Sequence, residues 1–239
     1  MIEDAQGRFY RKIGDHLPKT VFYRLRKLRL WLGWPFAIIL AIYAESSAQG
    51  FWIGIPPIVL GEALRLWSHG YLRKIRALAT NGPYAYVRNP LYLGNFLLGL
   101  GFCAVIWNPL IFTFFVVGFF LVYWVTVKGE EERLAFRFGK PYSDYAAAVP
   151  RFLPRVTPYP GRQNARFALH RVGGHGEGIT ILAIVVLFLG LYLRQEFYQE
   201  HRALSVSTLA VSIFAIGLTM TVVYTWTARR IRGRRGKQR

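Results

Sequence analysis

The chain has 239 residues, 53% of them hydrophobic, a formal net charge of +19, and 18 Phe, 14 Tyr and 7 Trp. Apolar residues this abundant, gathered into runs approaching the 20 or so that cross a bilayer, exclude an ordinary water-soluble domain. A charge of this size would suit a nucleic-acid binder, but its placement argues for a membrane protein and no nucleic acid.

Six apolar runs are candidate spans: residues 30–46, 50–71, 91–108, 110–127, 179–193 and 203–226. Lys and Arg number eight in residues 1–30, four in 72–90, nine in 128–178 and seven in 227–239. With six crossings, all four segments face one side, and the other side carries only Arg194 and Arg202. This is the positive-inside pattern, with both termini cytoplasmic and the excess charge set against anionic lipid. The simple charge bias fits a prokaryotic plasma membrane. The fold expected is all-α, polytopic, with about six transmembrane helices and a cofactor pocket on the cytoplasmic side.

Residues 1–30 are polar and basic and lack the short apolar core of a cleaved signal peptide. The stretch from Phe22 to Leu32 mixes aromatic, aliphatic and basic residues, which predicts a segment lying along the interface. The second run carries Pro56 and Pro57, which predict a kink, and then Glu62 and Arg65, which share a face at i,i+3. Ionisable residues at membrane depth mark either a substrate site or a polar clamp between helices, so both are candidate substrate-binding residues. His69 reads as a snorkelling residue near the interface.

Residues 80–94, TNGPYAYVRNPLYLG, follow. Gly82-Pro83 signals a turn, and Pro90 disfavours helix at Asn89. The pattern predicts a short segment ending near Arg88 and a helix starting at Pro90 with Asn89 as N-cap. Free N–H groups at Pro90–Gly94, with Arg88 adjacent, can receive an anion. The third and fourth runs form a hairpin about Trp107-Asn108-Pro109. Cys103, the only cysteine, lies in an apolar helix, and no two of the five His stand at i,i+3 or i,i+4. No disulfide framework and no metal site are expected.

After the fourth run comes Glu130-Glu131-Glu132-Arg133-Leu134, then Phe138-Gly139, Tyr142, Tyr145 and Val149-Pro150. Thr126, Glu130 and Leu134 share a helical face, so the fourth helix is expected to run on out of the membrane with Glu130 at its mouth. The two blocks together resemble the isoprenylcysteine carboxyl methyltransferase and phospholipid methyltransferase superfamily of membrane enzymes. The likeness rests on Gly82, Tyr84, Arg88, Pro90 and Tyr92, and on Glu130, Glu131, Leu134, Phe138, Gly139, Tyr142, Tyr145 and Pro150. It covers residues 50–154. Two positions depart from the pattern: Asn89 replaces the usual His, and Thr126 replaces an Arg that contacts substrate in some members.

The resemblance implies a methyl transfer from S-adenosylmethionine to a lipid-soluble or amphipathic acceptor. Glu130 would take the cofactor's ammonium, with Glu131 as second choice. Asn89, Pro90, Leu91 and Tyr92 would line the helix start that receives its amino-acid end. Leu78, Ala79 and Tyr84 would line the rest of the pocket, and Arg88 would orient the loop or bind the carboxylate. Arg88, Asn89 and Glu130 are the candidate catalytic residues; Glu62, Arg65 and Thr126 are the candidate substrate-binding ones. Two other classes stay open: a reductase of the sterol-reductase type using a nicotinamide cofactor, and a non-catalytic scaffold or transporter.

The organisation expected is a basic interfacial segment (1–30), a four-span core (31–154), a cytoplasmic linker (155–178) and a two-span extension with a basic tail (179–239). The glycine-rich run at 173–178 follows no strand, so it reads as linker and not as a dinucleotide loop. The last two spans pack on the core, form a homodimer contact or close a lateral opening.

Overall fold

A computed structural model describes residues 46–72, 77–173 and 177–196. The expected interfacial segment, nearly all of the first span, the sixth span and the basic tail lie outside them. Among the described residues every regular element is helical. The helices are α1 (Ala48–Tyr71), α2 (Pro90–Ile106), α3 (Pro109–Phe138), α4 (Lys140–Ala148), α5 (Leu169–Gly173) and α6 (Glu177–Arg194), with a 3₁₀ turn at Gly82–Ala85 before α2.

α1 is capped by Ser47, whose hydroxyl accepts from the Gly50 N–H at 3.0 Å, and it stays helical through Pro56 and Pro57. It packs closely on α2 because each helix presents glycine to the other. A Cβ on Gly54 would lie 2.5 Å from the Gly101 carbonyl, and one on Gly61 would lie 2.7 Å from the Gly94 carbonyl. Helix backbones approach this closely only where side chains are absent. Around the seam, Phe51, Ile58, Leu98, Phe102, Val105 and Ile106 form a buried core with Leu191 of α6. Phe51 also meets the Phe188 ring edge-on at 5.0 Å.

α2 ends where Trp107 takes a left-handed conformation, φ 51°, and Asn108 then caps α3 by accepting from the N–H groups of Leu110 and Ile111. The resulting hairpin matches the expected tight turn. α3 is one uninterrupted helix of 30 residues, passing Glu130 as expected. Gly139 stops it with φ 54°, ψ −130°, a conformation only glycine adopts readily, and α4 starts at once.

α3 and α6 are long and apolar enough to cross a membrane, and α2 is a shorter apolar helix. On α3, Leu110, Phe114, Val117, Leu121 and Trp124 are exposed along one side of the helix. An unbroken face of this kind suits hydrocarbon and not water.

Candidate active site

The stretch before α2 folds as its prolines dictate. Gly82, at φ 57°, turns the chain beneath the Tyr71 ring, leaving no room for a Cβ. Pro83 opens the 3₁₀ turn, and Pro90 opens α2. Asn89 occupies the N-cap position, yet its side chain does not cap the helix. Its Nδ2 instead donates to the Arg151 carbonyl at 3.1 Å, and the Tyr123 hydroxyl donates to the same oxygen at 3.1 Å. The segment after α4 is therefore stapled across the start of α2. The Arg88 N–H donating to the Pro150 carbonyl at 2.8 Å, and the Arg155 N–H to that of Tyr86 at 2.9 Å, fasten it further.

The neighbouring carboxylates of α3 do different work. Glu131 is gripped by two guanidinium groups: Arg88 Nη1 lies 3.0 Å from Oε1, and Arg151 reaches both oxygens at 2.7–3.1 Å. Glu130 points to the start of α2, where the Tyr92 hydroxyl donates to Oε1 at 3.2 Å, and Arg133 stands 3.8 Å away. Tyr92 and Glu130, both candidate cofactor-binding residues, are thus in contact.

Tyr84 lies buried beside this group. Burial, then the nearby Tyr145 and Glu130, hold its phenol well above the usual tyrosine range. Its backbone carbonyl accepts from the Tyr145 hydroxyl at 2.7 Å, but its own hydroxyl has no hydrogen-bond partner among the described residues. The same is true of Arg88 Nε. These two orphaned polar groups, one on the tyrosine beside Glu130 and one on the arginine that grips Glu131, suit a ligand carrying several hydrogen-bonding functions. Leu78 and Ala79 line a small surface crevice with Tyr71, Thr80, Asn81, Gln163 and Ala165, with room for about one water molecule. Pro90 is buried and Leu91 half-buried at the helix start. Among the described residues no group of three His, Cys, Asp or Glu could hold a metal ion.

The three candidate substrate residues lie elsewhere. Thr126 is buried, and its hydroxyl donates to the Val122 carbonyl one turn back at 2.7 Å. Glu62 and Arg65 do pair, at 3.4 Å, but Arg65 also donates to Glu177 Oε1 at 2.7 Å, to Asn95 and to Thr180. His69 is not a snorkelling residue: it is buried, with Nε2 2.7 Å from Glu177 Oε2. Glu177, in the stretch read as a linker, is the first residue of α6 and one of the most buried side chains described. Its signal in the sequence is its isolation, since no other acid occurs between Asp144 and Glu196. Arg151 also escaped the sequence reading.

A family model described as phospholipid methyltransferase matches residues 50–141, from α1 to the start of α4. The chain is 31% identical over 184 residues to the nickel-cobalt-cadmium resistance protein NccN of Alcaligenes xylosoxydans xylosoxydans, covering 73% of this chain and 83% of that protein. It is 30% identical over 135 residues to the cobalt-zinc-cadmium resistance protein CzcN of Cupriavidus metallidurans, covering 53% of this chain and 62% of that protein. It is 32% identical over 130 residues to protein-S-isoprenylcysteine O-methyltransferase B of Arabidopsis thaliana, covering 48% and 66%. The chain thus spans about three fifths of the CzcN relative and two thirds of the Arabidopsis one. No solved structure matches it.

Proposed function

The chain belongs to the isoprenylcysteine carboxyl methyltransferase and phospholipid methyltransferase superfamily of membrane methyltransferases, and on that footing we propose that it moves a methyl group from S-adenosylmethionine to a lipid-soluble or amphipathic acceptor. The observation that carries this reading is the separation of roles at the double glutamate. Glu131 is consumed by Arg88 and Arg151, whereas Glu130 faces the start of α2 beside Tyr92 and the buried Tyr84.

When bound, S-adenosylmethionine supplies an electrophilic methyl group for in-line displacement. The Glu130 carboxylate would take its ammonium, and the positive end of the α2 dipole would face its carboxylate, although Pro90 has no N–H and those of Tyr92 and Leu93 donate to the Asn89 carbonyl. The unpartnered Tyr84 hydroxyl and Arg88 Nε would add hydrogen bonds at this end, while Leu78 and Ala79 would provide an apolar wall for the base. The residues fit the group. Their task is to position the donor and exclude water, which is where methyl transfer gains most of its rate. With Thr126 bonded to its own helix and carrying no charge, nothing there pairs with an acceptor carboxylate, so the acceptor need not be a prenylcysteine. Six crossings with both termini cytoplasmic set Glu130 on the cytoplasmic side, within reach of a soluble donor and of an acceptor arriving through the lipid.

Calorimetric titration of the detergent-solubilised full chain with S-adenosylmethionine tests the reading, using Glu130→Ala and the exposed neighbour Glu132→Ala as control. Loss of one partner of a charge-assisted contact weakens binding by roughly 1–3 kcal/mol. Binding by wild type and Glu132→Ala, weakened in Glu130→Ala, is the expected result. A folded wild type that binds no S-adenosylmethionine would refute it.

A further inference from the structure

The exposed side of α3 does not end with its apolar residues. Leu110, Phe114, Val117, Leu121 and Trp124 follow one another at alternating steps of four and three, and the next position of that row is Lys128. The row thus offers a hydrocarbon surface, then an aromatic ring, then a cation, the order in which a phospholipid lying alongside would need them. From Pro109 to Lys128 the helix advances about 29 Å, close to the roughly 30 Å of bilayer hydrocarbon. With α3 crossing the membrane, Lys128 stands at headgroup level and Trp124 just beneath it.

Two cations converge on the Trp124 ring. Lys128 Nζ lies 4.9 Å from its centroid, and the Arg151 guanidinium carbon lies 5.7 Å from it. Lys128 belongs to α3 itself, whereas Arg151 arrives from the segment after α4. Glu132 stands one turn beyond Lys128, yet Lys128 forms no ion pair among the described residues. Its ammonium is turned back over Trp124, toward the apolar row. Arg151 uses Nε and Nη2 on Glu131, which leaves Nη1 of this half-exposed side chain for another acceptor. Like charges gathered at one ring repel, and an anion taken by both relieves the repulsion. The surroundings are basic as well, since residues 128–178 hold nine Lys and Arg against five Asp and Glu. A zwitterionic headgroup would bring a further cation to a place that already holds two, so the selection is for net negative charge.

We propose that Trp124, Lys128 and Arg151 form a binding site for one anionic phospholipid of the cytoplasmic leaflet. Its acyl chain lies on Val117 and Leu121, Trp124 packs beneath its headgroup, and Lys128 Nζ and Arg151 Nη1 donate to its phosphate. The site does not depend on the donor reading; it needs α3 to cross the bilayer with Lys128 on the cytoplasmic side. It reaches the start of α2 through Arg151, whose guanidinium grips Glu131 and whose carbonyl accepts from Asn89 and Tyr123. A phosphate on Nη1 therefore braces the segment stapled across that helix start.

The test reconstitutes the full chain in vesicles of phosphatidylcholine with a minor share of phosphatidylglycerol. Acyl-chain bromine is carried either by the phosphatidylglycerol or by an equal amount of the phosphatidylcholine. Bromine quenches the tryptophans it touches, and subtracting the Trp124→Phe signal isolates Trp124. Phosphatidylglycerol is expected to be preferred at Trp124 on the order of 10-fold, and Lys128→Gln to lower that preference about 5-fold, as removal of one Lys near a charged membrane surface should. Lys128→Arg keeps the preference, and so does Lys140→Gln, which removes an equal charge from α4. Lys128 is varied because Arg151 also supports α2. Equal quenching by the two lipids in wild type overturns the site, since Trp124 then faces bulk lipid. A preference that survives Lys128→Gln, or falls as far in Lys140→Gln, overturns it too. Loss of the preference on adding inorganic phosphate at constant ionic strength overturns the lipid as occupant. Quenching by neither lipid overturns both the site and the crossing of α3, while calorimetry with S-adenosylmethionine still judges the donor reading.

Discussion

Two arginines hold one carboxylate, and their surroundings set how much each contributes. The Arg88 and Glu131 side chains are each 14% exposed, whereas Arg151 is 42% exposed. A pair about 4 Å apart gains about 4 kcal/mol at an effective dielectric of 20 but about 1 kcal/mol in water, before desolvation and side-chain ordering are subtracted. Arg88 sits nearer the first limit and Arg151 nearer the second, despite its better bidentate geometry. The Arg88–Glu131 coupling should therefore be about 2 kcal/mol and the Arg151–Glu131 coupling about 1 kcal/mol or less. Two double-mutant cycles measure this, combining Arg88→Ala or Arg151→Ala with Glu131→Gln. Unfolding in mixed micelles with sodium dodecyl sulfate, followed by tryptophan fluorescence, is the assay. Salt at 1 M shortens the screening length to about 3 Å and should remove most of the Arg151 coupling while leaving most of that of Arg88. An Arg151 coupling equal to that of Arg88, or equal salt sensitivity of the two, would refute the reasoning.

Two further outcomes follow from packing and burial. Gly61→Val places a side chain 2.7 Å from the Gly94 carbonyl and 2.9 Å from the Leu98 nitrogen, so α1 and α2 must part. A loss of about 1–3 kcal/mol is expected in the same unfolding assay, and a variant as stable as wild type would count against the close seam. Tyr145→Phe removes the donor to the Tyr84 carbonyl, at a cost of about 1–2 kcal/mol. Burial raises the Tyr145 phenol above its usual value of 10.0. Its contribution is thus fully present below pH 10 and is lost as pH rises through the raised folded value. Wild type should lose stability above pH 10 more steeply than Tyr145→Phe, and parallel pH profiles would contradict this.

The local features of the site were legible because proline and glycine write them into the chain. Pro83 and Pro90 fix the turn and the start of α2, and helical periodicity carries α3 past Glu130. What stayed hidden was partnership across long separations. Glu177 stands 112 residues from Arg65, and at the head of an apolar run it looks like an ordinary first-turn acid, which gave no reason to seek a distant partner. Arg151 looked like one more basic residue on a basic side, although its carbonyl and guanidinium tie α2 and α3 together. Asn89 shows the opposite error: a local rule correctly located the cap position, but the side chain was drawn to the Arg151 carbonyl. His69 followed the same course, its interfacial sequence position concealing a buried contact.

The unbroken length of α3 makes the enzyme a gauge of the bilayer that holds it. From Pro109 to Glu130 the helix advances about 31 Å, close to the roughly 30 Å of hydrocarbon in a typical membrane. With no hinge between these points, and on the proposed topology in which α3 crosses the bilayer with Glu130 at its cytoplasmic end, the height of Glu130 above the lipid is set by where Pro109 rests on the opposite face. A thinner bilayer lifts the carboxylate into water, and a thicker one draws it toward the acyl chains unless the helix tilts. Turnover should accordingly peak at one acyl-chain length, so that lipid composition sets the working rate without any ligand binding to the protein.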